Sequence, residues 1–355
     1  MSLDFHQDLK GIQKDIDIAL ANYLSALAPP VNTGQAIKAL ELLKEFSSRS
    51  GKRLRGAMAI IAYQMFGGKN HKSALKLAVA IELIQNYLLI VDDVMDHSKS
   101  RRRLPTIHEQ YLGLIKSSLP IEKTVHLSNM LGINVGLIAQ HMASEYLATI
   151  DDDPNRLLKT HKLFHANILN TCYGQIEDLF NNSYRQVGEE EIIQTYILKS
   201  SYYSFINPLQ LGATLAGASA KDIEILKQFG VHAGLAFQLQ DDLIGMFGDQ
   251  EKSGKSNTDD LKEGKMTLLI HHGLAHSSPQ EFKKIHEALG NDKLTLKQYA
   301  DVQNILEKAG SREFVQQRAK EESRLALECI EPLKSRREGY DFLNSLLTYI
   351  IKRDK

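Results

Sequence analysis

Asp92-Asp93-Val94-Met95-Asp96 ends the apolar segment Ala80 to Val91, and a second acidic run, Gln238-Leu239-Gln240-Asp241-Asp242-Leu243-Ile244-Gly245, ends another. Asp92 and Asp96 are four apart, so on a helix they share a face. Like charges at that spacing repel, and carboxylates near a helix C-terminus meet the negative end of its dipole, so the cluster needs a compensating charge. A divalent cation meets that need: Mg²⁺ takes oxygen ligands, keeps several waters and is commonly held by one or two carboxylates plus substrate phosphates. The plainer alternative is a solvated acidic helix end. The second run repeats the pattern incompletely, with Gly245 where the first has Asp96. Two such clusters could face one cavity from two helices and share metal ions.

Cations accompany the carboxylates. Gly51-Lys52-Arg53-Leu54-Arg55-Gly56 puts three positive side chains within about a turn and a half of helix, and Arg101-Arg102-Arg103 follows the first acidic run. A lone basic run is usually a solvated face or a nucleic-acid contact. Beside metal-binding carboxylates, Arg and Lys are what a diphosphate needs, because that ligand takes both metal bridging and forked hydrogen-bond donors. Lys+Arg and Asp+Glu both total 43, and no aromatics interleave the basic runs, which argues against nucleic acid.

The elements that must carry these residues read as helices. Eight prolines in 355 residues leave 31–104, 155–207, 209–278 and 280–331 nearly free of them, and apolar residues recur there at helical spacing, as in Leu75, Val79, Leu83 and Ile223, Leu226, Phe229. Strict alternation is hard to find, so the chain reads as all-α. Breaks are expected at Ala28 to Gly34, Phe66 to Lys72, Lys99 to Pro105, Ser117 to Pro120, Asp151 to Pro154 and Gly248 to Gly264. None of these resembles a domain linker, so one domain over 1–355 is expected. No uninterrupted apolar run reaches the length of a membrane span and the first residues lack a signal-peptide core, so the cytoplasm is the expected compartment. Two cysteines, Cys172 and Cys329, are too few for a disulfide framework, and neither sits in a zinc-ligand pattern. His161, His165, His271 and His272 have no acidic third ligand patterned around them.

In order and spacing, Gly51 to Gly56 (GKRLRG), Asp92 to Asp96 with Arg101-Arg102, Gly174 to Asp178 (GQIED), Lys199-Ser200, Tyr203 to Leu209, Phe237 to Asp242 (FQLQDD), Phe247-Gly248-Asp249, Gly254-Lys255, Glu263-Gly264-Lys265 and Tyr349 to Lys355 resemble the trans-isoprenyl diphosphate synthases, the polyprenyl synthetase family. The resemblance covers nearly the whole chain. It implies an isoprenoid synthase fold, a bundle of long antiparallel helices around a deep central cavity, usually as a homodimer. It implies that Asp92, Asp96 and Asp241 bind Mg²⁺, three ions with substrate present, supported by Asp93 and Asp242. Arg101, Lys199, Lys255 and Lys265 would hold the allylic diphosphate, with Ser200 and Gln238 nearby. Lys52, Arg53, Arg55, Gln85 and Arg102 would hold isopentenyl diphosphate. Glu177 and Asp178 would contact metal-bound water, and the tail Lys352 to Lys355 would help to close the mouth.

The reaction so implied breaks an allylic carbon–oxygen bond and joins the cation to the double bond of isopentenyl diphosphate, with a proton lost to the departing diphosphate. Such a site must stabilise charge on the leaving oxygens and keep water out. Product length would depend on what floors the cavity, at about 5.4 Å per helical turn. Tyr87, five residues before Asp92, is the nearest bulky side chain; Leu88 beside it is not aromatic, and Ile84 is a turn below. Within the family this pattern resembles the geranylgeranyl (C20) type. Farnesyl or longer-chain synthesis is the alternative. A class I terpene cyclase would lack the second cation set, and the absence of tryptophan argues against its aromatic pocket; a non-catalytic partner subunit would have lost an acidic run.

Overall fold

The proline-poor stretches fold as helices, because apolar residues at helical spacing can bury one face of each against its neighbours. The computed structural model describes residues 5–29, 31–115, 120–184, 187–248 and 258–353. These form two compact units, the first within Met1–His161 with Leu215–Gly217, the second within Lys162–Thr214 and Ala218–Lys355. The first contains α1 (Phe5–Ala26), α2 (Gly34–Ser48), α3 (Leu54–Met65), α4 (His71–Met95), α5 (Ile107–Ile115), α6 (Ile121–Ala148) and the start of α7 (Pro154–Tyr184). The second contains the rest of α7, α8 (Glu189–Thr195), a π-helix (Tyr196–Ile206), most of α9 (Asn207–Ala216), α10 (Ala220–Phe247), α11 (Asp259–Lys262), α12 (Leu268–His276), α13 (Pro279–Ala288), α14 (Leu296–Lys308), α15 (Ser311–Ile330) and α16 (Arg337–Lys352).

In the first unit α4 is the central helix. Asn70 starts it by accepting the Ser73 N–H on Oδ1 (3.2 Å), and His97 in the left-handed region (φ 53°) closes it. Leu77, Ala78, Val79, Ala80, Ile81 and Leu83 are buried, and α3 and α6 pack against the helix. Among the described residues α4 is the one helix long and apolar enough to cross a membrane. Glu82, Gln85 and Asn86 interrupt its apolar run, and most of its apolar window lies buried in protein. Gly132 and Gly136 let α6 approach: a Cβ at Gly136 would lie 2.9 Å from Val91 Cγ2.

In the second unit α10 packs against α15 and the π-helix. Ser219 Oγ accepts the Asp222 N–H (3.1 Å) at its start, and Leu235, Leu239, Leu243 and Met246 enter a core shared with Leu268, Leu269, Val315 and Ala319. A Cβ at Gly234 would come within 2.5 Å of Ser201 Cα, so the two backbones nearly touch.

The break expected at Lys99 to Pro105 is present and takes the form of a hairpin, in which Ser100–Arg101 pairs antiparallel with Leu104–Pro105. Its two turn residues, Arg102 (φ 55°) and Arg103 (φ 64°), hold the left-handed conformation that a primed turn demands and that Gly or Asn usually supplies. One local expectation is corrected: the GKRLRG cations do not share one helix. Helix α3 starts only at Leu54, and Arg53 precedes it at φ 47°. The breaks near 117–119 and 249–257 fall outside the described residues.

Candidate active site

Asp92, Asp93 and Asp96 occupy the last turn and cap of α4, the position where helix carbonyls concentrate negative charge. The expected compensation is present in part as protein charge. Arg101, aimed by the hairpin, donates from Nε to Asp93 Oδ1 (2.7 Å) and pairs more loosely with Asp92 Oδ2 (3.4 Å). The two neighbours differ sharply: the Asp93 side chain is 1% exposed, that of Asp92 24%. Burial raises the Asp93 carboxyl to about 6 against the opposing pull of Arg101, and its Oδ2 has no hydrogen-bond partner among the described residues. Asp93 is thus buried against Arg101, while Asp92 and Asp96 are partly exposed.

The hairpin is itself held by Arg49, the residue that ends α2, whose Nη1 donates to the Arg101 carbonyl (3.2 Å) and Nη2 to that of Pro105 (2.7 Å). Arg102 Nη1 donates to the Arg49 carbonyl (2.8 Å), and its guanidinium lies over Gly51, where a Cβ would be 2.9 Å from Nη2. Burial and the fields of Arg53, Arg101 and Arg55 bring the Arg102 guanidinium down to about 10, with Glu82 opposing. Arg102 thus sits, withdrawn from water, within the fields of three other guanidinium groups, which disfavours positive charge there. Gln85, with its amide oriented to suit its neighbours, donates to Glu82 Oε2 (3.3 Å) and accepts from Arg55 Nη1 (3.1 Å). Lys52 is exposed.

Arg53, expected among the ligand contacts, is turned inward instead. Its side chain is 3% exposed and bonds Asp17 Oδ1 (2.7 Å), Glu82 Oε2 (3.2 Å) and the Ser47 carbonyl (2.9 Å). Its left-handed backbone points it away from the direction that a helical register would give. Tyr87 and Leu88 are half-buried on α4 and Ile84 is buried; the Tyr87 ring faces α6, where a Cβ at Gly136 would lie 3.5 Å from its Cδ2.

In the second unit a chain of polar contacts surrounds Asp242 at the end of α10. Ser200 Oγ donates to Gln238 Oε1 (2.6 Å), Gln238 Nε2 to Asp242 Oδ1 (2.8 Å), and the Tyr196 hydroxyl donates a short hydrogen bond to Asp242 Oδ2 and accepts from the Leu268 N–H (3.0 Å). Complete burial raises the Asp242 carboxyl to about 8, with Asp260 and Asp241 adding to the rise; Tyr196 is pushed well above its ordinary value chiefly by burial and then by Asp242. Asp241 remains 44% exposed. Lys199 donates to Asp178 Oδ2 (2.6 Å), and Lys265 pairs with Asp260 (3.1 Å) and Glu263 (2.7 Å). Lys255 lies outside the described residues.

Lys199 and Ser200 belong to the π-helix, a form that is rare and concentrated at functional sites. Gly174 makes room for it: a Cβ there would lie 2.3 Å from the Lys199 backbone nitrogen. Lys199, Ser200 and Gln238 are singled out by the sequence, whereas Tyr196 and Arg49, which the structure joins to Asp242 and to the Arg101 hairpin, carry no spacing that distinguishes them from core and surface residues. Gly245 also gains a meaning, since a Cβ there would lie 2.4 Å from Asp260 Oδ2.

The polyprenyl synthetase family model matches residues 38–308. The geranylgeranyl diphosphate synthase of Sulfolobus acidocaldarius is 28% identical over 294 residues, 81% of this chain and 84% of that protein. That of Methanosarcina mazei is 30% identical over 270 residues, 76% of each. Among solved structures, the geranylgeranyl pyrophosphate synthase from Corynebacterium glutamicum, complexed with isoprenyl diphosphate and magnesium, is similar at a TM-score of 0.88 and 26% identity, over 99% of this chain and 100% of that one.

Proposed function

Because the chain belongs to the polyprenyl synthetase family and is a trans-isoprenyl diphosphate synthase, we propose that it condenses isopentenyl diphosphate with allylic diphosphates to give geranylgeranyl diphosphate (C20). The observation that supports the ligand class is geometric: Arg102 lies over Gly51 and donates to the Arg49 carbonyl, Arg49 donates to the Arg101 carbonyl, and Arg101 reaches Asp92, so several guanidinium groups gather beside the first acidic run. The C20 product is supported by the activities named for the relatives and by Tyr87 without an aromatic neighbour at Leu88.

The donor set fits Mg²⁺. Asp92, Asp96 and Asp241 offer hard carboxylate oxygens, and among the described residues no group of three or more Asp, Glu, His or Cys side chains is placed to hold a metal ion by itself. Water and phosphate oxygens would complete such a coordination sphere, the manner in which Mg²⁺ is commonly held. In this reading Asp92, Asp96 and Asp241 would hold magnesium, three ions when the allylic diphosphate is bound, and Asp93 and Asp242 would orient their neighbours. Magnesium would supply charge neutralisation on the leaving oxygens.

The protein's own share is to bind and orient. Arg101, Lys199, Lys255 and Lys265 hold the allylic diphosphate, with Ser200 and Gln238 beside it, and Lys52, Arg55, Gln85 and Arg102 hold isopentenyl diphosphate. As the allylic carbon–oxygen bond breaks, the electron pair leaves with diphosphate; the isopentenyl double bond attacks the allylic carbon, and a proton departs to the released diphosphate. Arg53 keeps a supporting place, locking the start of α3.

One domain over 1–355 belongs to the same reading, supported by a family match that runs through both units. So does a homodimer, supported by Ile121, Val125, Leu137, Leu169, Tyr173 and Phe180, large apolar side chains exposed on α6 and α7. A cytosolic location is supported by the burial of α4. Incubation with Mg²⁺, isopentenyl diphosphate and each of dimethylallyl, geranyl and farnesyl diphosphate, followed by chromatography, tests the activity. A linear C20 diphosphate is expected; a cyclic hydrocarbon, or no consumption of isopentenyl diphosphate, would overturn it.

A further inference from the structure

With two residues in each strand, the hairpin that carries Arg101 and Arg102 is too short to stand alone, since an isolated pair of strands is marginal even at greater length. Its turn opposes it further: Arg102 (φ 55°) and Arg103 (φ 64°) both hold the left-handed region, which a Cβ disfavours. Something outside the hairpin must keep it closed. Arg49 is placed to do so. Its Nη1 donates to the Arg101 carbonyl on one strand (3.2 Å) and its Nη2 to the Pro105 carbonyl on the other (2.7 Å), so one guanidinium staples the two together. Glu45, one turn back on α2, grips Nε and Nη2 through its two oxygens (3.0 and 2.8 Å), and Cζ lies 4.8 Å from the centroid of the Phe46 ring. The Arg49 side chain is 2% exposed. A planar fork meets a carboxylate and two carbonyls at once, which a lysine ammonium in the same place could not.

The backbone of Arg49 makes the second link, because its carbonyl accepts Arg102 Nη1 (2.8 Å). Arg49 therefore holds Arg101 through its side chain and Arg102 through its main chain. Arg101 in turn donates to Asp93 Oδ1 (2.7 Å) and Asp92 Oδ2 (3.4 Å), so the staple also bears on the first acidic run. We propose that Arg49 is a positioning residue for both diphosphates, setting the places of Arg101 and Arg102 together by closing their hairpin against its strained turn. This rests on the functional reading above, which gives Arg101 to the allylic diphosphate and Arg102 to isopentenyl diphosphate. It deepens that reading by tying the two affinities to one residue that lies outside the GKRLRG run and both acidic runs.

The test uses the full chain, and its first readout needs no turnover. The Thr106 amide, bonded to the Lys99 carbonyl (3.2 Å), closes the base of the hairpin and reports on it. In Arg49→Met, hydrogen exchange at Thr106 should quicken by about tenfold. Steady-state kinetics should show KM for isopentenyl diphosphate and KM for the allylic diphosphate rising together by about five- to twentyfold, with kcat changed by less than about threefold. Arg103→Gly removes a Cβ from the turn and touches no residue assigned to either ligand. Added to Arg49→Met, it should bring the exchange rate and both KM values back toward the wild type by about threefold or more. A residue that merely ends α2 would lower the melting temperature and leave both KM values unmoved, and that result would overturn the proposal. So would a rise in one KM alone, or the absence of recovery with Arg103→Gly. Should Arg49→Met fail to fold, Arg49→Lys keeps the charge without the fork and must show the same joint rise, at about threefold; normal KM values in it sink the proposal. If the wild type consumes no isopentenyl diphosphate, the functional reading falls and the proposal with it; normal turnover with unmoved KM values in the variants sinks the proposal alone.

Discussion

Asp92 and Asp93 are adjacent in sequence yet have opposite surroundings, one accessible and loosely paired, the other buried on Arg101. Asp92→Ala should therefore cut kcat by about a hundredfold or more with little change in melting temperature, since it removes a repelling charge rather than packing. Asp93→Ala should lower the melting temperature clearly, because Arg101 loses its close partner and a buried site is emptied; equal melting temperatures for the two variants would contradict this assignment. Arg53 makes the same point for a cation. Arg53→Met would leave Glu82, 2% exposed, as a buried charge without its counter-ion, at a cost of about 3–5 kcal/mol in urea unfolding. A change confined to substrate affinity, with stability intact, would return Arg53 to the ligand site.

At the scale of elements, glycines set how closely helices approach, and so where reactive groups lie. Gly174→Ala would drive a methyl against the backbone of Leu198 and Lys199, which cannot swing aside as a side-chain tip can. We expect a loss of about 1–3 kcal/mol together with a raised KM for the allylic diphosphate, because the π-helix would carry Lys199 away. Normal stability with a normal KM would show that the contact is dispensable. His108 tests the packing of α5 beneath α6. It is buried, its Nδ1 lies 3.2 Å from Thr106 Oγ1, and burial brings its imidazole down to about 4. The folded state therefore disfavours the proton that the unfolded chain accepts near 6.5, so the associated stability is fully present above that pH. It is lost as pH falls from about 6.5 toward 4, by up to about 3 kcal/mol. Urea midpoints should fall across this window in the wild type and fall less in His108→Gln; parallel slopes would refute the assignment.

For the molecule as a whole, the product is the property to measure. Tyr87 is half-buried on α4 with its ring toward Gly136 of α6. If it floors the chain-length pocket, Tyr87→Ala should extend products beyond C20 by one or more isoprene units with condensation retained. An unchanged product distribution would leave Tyr87 as packing alone. The incomplete second acidic run fits this scale too, because Gly245 leaves space for the Asp260 carboxylate, which comes from α11.

The sequence by itself determined the helices and the chemistry of their ends. Local spacing decides which residues share a helix face, and repulsion between Asp92 and Asp96 is a property of that spacing wherever the helix packs. The same holds for the proline-poor lengths and for the family motifs, whose order survives translation into structure. Tertiary structure alone decided the partners. Arg101 compensates Asp93 through a hairpin whose arginine turn no propensity favours, Arg53 faces Asp17 and Glu82 because its backbone is left-handed, and Tyr196 reaches Asp242 from a π-helix that breaks the helical period. Burial of a charge and identity of its neighbour arise from contacts between segments far apart in the chain, and periodicity carries no information about them.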